Sequence, residues 1–151
     1  MPTRTLAAVI ATAAAAAAGI ALLPTQAQAA GSIHLYKVYY DSPGSDTRSN
    51  PSLNAEYVQI RNTTGAAVQL KGYTVRDNTG YTFTFPSYKI GAGKTVTIHT
   101  GKGTQSAGHV YWGRGNYVWN NDKDTVTLRK PSGAFRDSCA YNSTRYDYKM
   151  C

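Results

Sequence analysis

Helical periodicity is missing from this chain. No window keeps apolar residues at three-to-four spacing for more than two turns, which speaks against a helical bundle or a coiled-coil rod. Carboxylates are few, 8 in 151 residues, and Glu56 is the one glutamate. The paired acids of glycoside cleavage would have to come from Glu56, Asp41 and Asp46, and Glu56 sits inside an alternating motif where an exposed ladder position is expected. Cysteine is limited to Cys139 and Cys151, neither in surroundings that suggest a reactive or metal-binding thiol. After the first two dozen residues no apolar run is long enough to span a bilayer. H-E-x-x-H and G-x-S-x-G are both absent, which removes the commonest zinc-protease and serine-hydrolase signatures.

What is present begins with export. Arg4 precedes an alanine-dominated apolar run from Leu6 to Leu23, Pro24 ends it, and Ala27-Gln28-Ala29 supplies the small-x-small pattern of a signal peptidase site. Residues 1–29 read as a cleaved signal peptide, with the cut before Ala30. A membrane anchor fits less well, because no basic stop-transfer cluster follows and alanine partitions weakly into hydrocarbon. The mature chain, 30–151, is long enough for one domain. It loses Arg4 from 16 Lys plus Arg and keeps all 8 acids, leaving 15 against 8 and a net charge of +7. The expected location is secreted, extracellular or associated with the cell envelope. There an oxidised Cys139–Cys151 pair is expected, pinning the tail and stabilising by about 2–3 kcal/mol in the chain-entropy model.

Apolar residues recur with period two at Ile33 and Leu35; Tyr57, Val58 and Ile60; Val68 and Leu70; Tyr81, Phe83 and Phe85; Val96 and Ile98; Val110 and Trp112; Val126 and Leu128. Between them lie turn-forming clusters such as Asn62-Thr63-Thr64-Gly65, Asp77-Asn78-Thr79-Gly80 and Pro131-Ser132-Gly133. The pattern predicts an all-β domain of six to eight short strands in two packed antiparallel sheets, an immunoglobulin-like β-sandwich or a small barrel. Ser42 to Ser52 reads as a long, poorly ordered loop.

The order of motifs resembles the lamin tail domain family, in particular its small exported bacterial members. The residues are Glu56-Tyr57-Val58-Gln59-Ile60-Arg61-Asn62, Val68 to Val75, Tyr81 to Pro86, Ile90 to Ile98, Val118-Trp119-Asn120-Asn121 and Asp124 to Leu128, so the likeness covers Asn54 to about Tyr141. The resemblance implies an immunoglobulin-like sandwich with a binding or scaffolding role. In nuclear lamins the fold serves protein and nucleic-acid contacts. Trp119 is expected in the core, filling space between the sheets.

Gly91-Ala92-Gly93-Lys94-Thr95 ends as a phosphate-binding loop ends, but the first glycine of that motif would fall at Tyr88, and a strand follows where a helix is required. Of the histidines, His99 and His109 flank the glycine-rich loop and approach each other if it joins neighbouring strands; with His34 they supply no metal-ligand spacing. The expectation is no metal, no cofactor and no catalytic residue. The candidate binding residues are Lys102, Arg114, Arg129, Lys130, Arg136, Arg145 and Lys149, interleaved with Tyr111, Tyr117, Tyr146 and Tyr148. Cations beside aromatic rings suit an extracellular polyanion, DNA or an anionic wall polymer, and a protein partner is equally open. The alternative is a small secreted hydrolase, nuclease or glycosidase in type, with an unrecognised site.

Overall fold

The computed structural model describes residues 30–151; the expected signal peptide lies outside the described residues. In chain order the elements are β1 (Ile33–Tyr39), α1 (Asn50–Ala55), β2 (Tyr57–Asn62), β3 (Val68–Gln69), β4 (Thr74–Arg76), β5 (Thr82–Thr84), β6 (Lys89–Ile90), β7 (Thr95–His99), β8 (His109–Tyr111), β9 (Lys123–Arg129), β10 (Phe135–Asn142) and β11 (Tyr148–Met150). One sheet runs β11-β1-β2-β7-β8, a second β10-β9-β4-β5, and β3 pairs with β6 in a small ribbon. The two larger sheets form the expected sandwich.

Alternation explains which face goes inward. In β2 and β9 every second residue is buried, placing Val58, Ile60, Val126 and Leu128 between the sheets. They pack with Leu35, Val38, Val75, Val96, Ile98 and Trp119 in one apolar cluster. Burying a side chain of this size contributes about 1.5–3 kcal/mol, so the shared core dominates the stability of strands too short to stand alone.

The structure departs from the sequence reading in three ways. Eleven strands are found among the described residues, not six to eight, because β4, β6 and β11 are only two or three residues long and β10 carries a bulge, so none of the four shows an alternating apolar run. β8 runs parallel to β7, so the sheet that contains it is mixed. The stretch from Ser42 to Ser52 is organised: Ser42 is buried with its hydroxyl donating to the Ser52 carbonyl, and α1 begins at Asn50 with Pro51 in its first turn, where the missing amide proton costs nothing.

Buried polar side chains stitch the turns. The Asn62 amide donates to the carbonyls of Ala66, Ile90 and Gly91, and its oxygen accepts from the amide and hydroxyl of Thr64, tying the β2–β3 turn to the end of β6. Between the sheets, the Asp137 carboxylate accepts from the Leu35 amide at the bulge in β1. Cys139 on β10 is joined to Cys151 beyond β11, so the expected disulfide bridges one sheet to the edge of the other.

Candidate functional site

The outer face of the five-stranded sheet carries the residues of opposite phase to the core. Tyr148 on β11 is the register partner of Tyr39, Tyr39 of Tyr57, Tyr57 of His99, and His99 of Tyr111. The rings therefore form one row across all five strands, with successive centroids 6.0, 5.3, 6.1 and 4.9 Å apart. A second row runs beside it: Met150, Lys37, Gln59, Thr97 and His109. The Lys37 ammonium lies 4.3 Å from the Tyr148 centroid, 5.3 Å from Tyr39 and 5.7 Å from Tyr57, and Arg61 lies 5.2 Å from Tyr36. Such cation–π contacts contribute about 0.5–1 kcal/mol at exposed sites. Burial first, then the nearby Asp147 carboxylate, raises the Tyr39 phenol above its ordinary pKa.

The loop from Thr100 to Gly108 closes the β8 end of the row. An added Cβ at Gly103 would lie 2.4 Å from a carbon of the Tyr111 ring, and one at Gly101 would lie 2.6 Å from the side-chain oxygens of Asn50 and Asn54. Only glycine admits that approach. Both asparagines donate to the Lys102 carbonyl, so α1 fixes the loop, and the loop backbone at Gly103 packs against one side of the half-buried Tyr111 ring.

His99 and His109 meet as expected, Nε2 to Nδ1 at 3.0 Å. The other nitrogen of His99 is 2.7 Å from the Asn54 carbonyl, which can only accept, so Nδ1 carries a proton and Nε2 accepts from His109. Burial depresses the His99 pKa; the Asn54 carbonyl opposes that shift and His109 adds to it. The pair thus leans on a backbone carbonyl, not on the carboxylate that would orient a catalytic base. Among the described residues no cluster of three or more His, Cys, Asp or Glu has metal-binding geometry.

Glu56 overturns its expected role. It caps the end of α1 and is fully buried, with Oε1 accepting from the Thr100 hydroxyl and the Val118 amide and Oε2 from the Trp119 amide. Burial raises its pKa to about 7 against the opposing pull of those three donors. It is a buried clamp, not an exposed ladder residue. Trp119, which it holds, is buried in the core as expected, edge-on to Trp112 at 6.1 Å.

The sequence-derived binding residues divide into separate groups. Arg129, Lys130 and Arg136 lie around the β9–β10 hairpin, the guanidinium of Arg129 donating to the Gly133 carbonyl and that of Arg136 to the Ile33 carbonyl. Arg145, Tyr146, Tyr148 and Lys149 lie on or beside β11, with Arg145 over the Tyr146 ring at 5.4 Å. Lys102 is in the loop held by α1, and Arg114 stacks on Tyr81 at 4.2 Å. Tyr117 is bonded through its hydroxyl to Ser52. Of the whole set, Tyr111 and Tyr148 belong to the aromatic row. Tyr39 and Lys37 escaped the sequence reading, which took Tyr57 only as a strand residue and His99 only as half of a histidine pair, although all four lie on the outward phase of β1, β2 and β7.

A family model described as Lamin Tail Domain matches residues 26–143, well over half of the chain. No curated protein matches it. The matched stretch ends before β11, so the strand that supplies Tyr148 and the segment that supplies Cys151 lie beyond it.

Proposed function

Because the chain belongs to the lamin tail domain family, we propose that it is an exported binding and scaffolding module, without catalytic activity of its own, that contacts a polyanion outside the cell or at its envelope. The immunoglobulin-like fold supplies rigid surfaces and the family is one of binding modules. The observation that carries the polyanion reading is the cationic β9–β10 hairpin, where Arg129, Lys130 and Arg136 crowd one end of the sandwich and the two arginines are bonded to neutral carbonyls. Their charge is left to act on a partner, in a mature chain of net charge +7 drawn from 15 basic and 8 acidic residues.

Binding of DNA or an anionic wall polymer through such a surface is governed by counterion release, so the logarithm of affinity should fall linearly with the logarithm of salt. Neutralising Arg129, Lys130 and Arg136 together should flatten that slope by about one for every phosphate no longer engaged, without changing sequence preference. A salt titration of labelled oligonucleotide and of wall polymer, on parent and triple variant, measures this. An unaltered slope, or no binding at low salt, would refute the polyanion reading.

A further inference from the structure

We propose that the aromatic row on the outer face of the five-stranded sheet is a docking platform for a linear, uncharged polysaccharide chain lying across the strands. The proposal goes beyond the polyanion reading and uses the opposite sheet and different residues. Five rings in direct register, on strands about 4.8 Å apart, make a straight feature on the order of 19 Å long. A straight ligand is the natural complement to a straight row.

The molecule contains its own comparison. The outward phase of the four-stranded sheet mixes small hydroxyl residues, Thr74, Thr82, Thr84, Thr125, Thr127 and Ser138, with the cations Arg76, Lys123 and Arg129, and its one large ring is Phe135 at the hairpin. On the five-stranded sheet the same phase carries Tyr39, Tyr57, Tyr111 and Tyr148, the last with 45% of its surface exposed. Large amphipathic rings held at low entropy cost are what binding surfaces use.

The chemistry of the face then selects the ligand. Lys37 is the one formal cation in the two rows, and it is already held against three rings. A phosphate backbone would need a cation at each repeat, and the Asp147 carboxylate near Tyr39 would repel it. What the rows do offer is hydroxyls, amide and imidazole. Tyr40, Tyr88, Tyr117 and Tyr141 have hydroxyls bonded within the protein, whereas among the described residues the four row tyrosines have no such hydrogen bond. Gln59 donates to Thr97 and keeps its oxygen for a partner. A sugar ring matches both halves of this surface: its C–H face is apolar and slightly positive, suited to the negative face of an aromatic ring, and its edge is lined with hydroxyls.

The test is retention of the purified protein on chitin and cellulose powders, and on xylan in an affinity gel, at low and at molar salt. Retention on at least one of them should be insensitive to salt. Tyr57→Ala should weaken it about tenfold, the effect of losing one central interface ring. Tyr148→Ala, at an exposed position on a three-residue edge strand pinned by the disulfide, should weaken it too, which covers the case in which the Tyr57 variant unfolds. The variant with Arg129, Lys130 and Arg136 neutralised should bind as the parent does, so failure here and failure of the polyanion reading are separately visible. No retention on any polysaccharide, or retention untouched by both tyrosine variants, overturns the proposal. So does salt-sensitive retention competed by single-stranded DNA, which would make the row a nucleic-acid surface.

Discussion

Single residues in this domain do work that their sequence neighbours do not disclose. Glu56 is the clearest, since alternation assigns it to an exposed ladder while its hydrogen-bond donors come from Thr100, Val118 and Trp119, far along the chain. Its pKa is about 7 in the fold against an ordinary 4.5. The protonated form is therefore the one the fold favours: the stabilisation is full below pH 4.5 and is lost as pH rises toward 7, to the extent of about 3 kcal/mol. His99, with its depressed pKa, acts in the opposite sense, destabilising as pH falls through the ordinary imidazole range. The difference in melting between parent and Glu56→Gln isolates the carboxyl, and it should change across pH 4.5–7. A constant difference would mean that Glu56 does not titrate there. Trp119 was legible beforehand because few places but a core accommodate so large a ring; Trp119→Ala should cost about 3–5 kcal/mol in denaturant unfolding. A variant as stable as the parent would remove the residue from the core.

At the scale of elements, strands announced themselves wherever period-two alternation ran for several residues, as in β2, β7 and β9. β10 did not, because its two buried positions, Cys139 and Tyr141, follow a bulge and are separated by Ala140, apolar yet exposed, so the sequence shows no polar–apolar alternation there. α1 is too short for helical periodicity to register. The aromatic row was invisible for a different reason: each ring can be read from its own strand, but the register that lines them up is a property of pairings between distant segments. β11 depends most on its tether. It is three exposed residues long, paired to one edge of β1, and the Cys139–Cys151 bridge closes a loop across a sequence separation of 12. Replacing both cysteines by serine should lower stability by about 2–3 kcal/mol and speed hydrogen exchange along β11 and the facing edge of β1. Exchange as slow as in the parent would show that β11 holds without its staple.

Seen whole, the molecule is a sandwich whose two outer faces differ in kind, one mixing threonines with cations and one carrying a row of rings, with Arg129, Lys130 and Arg136 at the β9–β10 hairpin. Turn chemistry and alternation made the architecture readable, while the division of the faces emerged only with the strand order. That order also has a consequence in time. β1 pairs with both β2 and β11, so that Lys37 faces Met150 from the far end of the chain; β2 pairs with β7 and β4 with β9 in the same distant fashion. Pairings this remote must be closed before they return any energy, which places folding in the slow class, milliseconds to seconds. The bridge changes the itinerary. With Cys139 and Cys151 joined, β11 travels beside β10, and the search that would otherwise span the chain becomes a local docking step made when β10 meets β1.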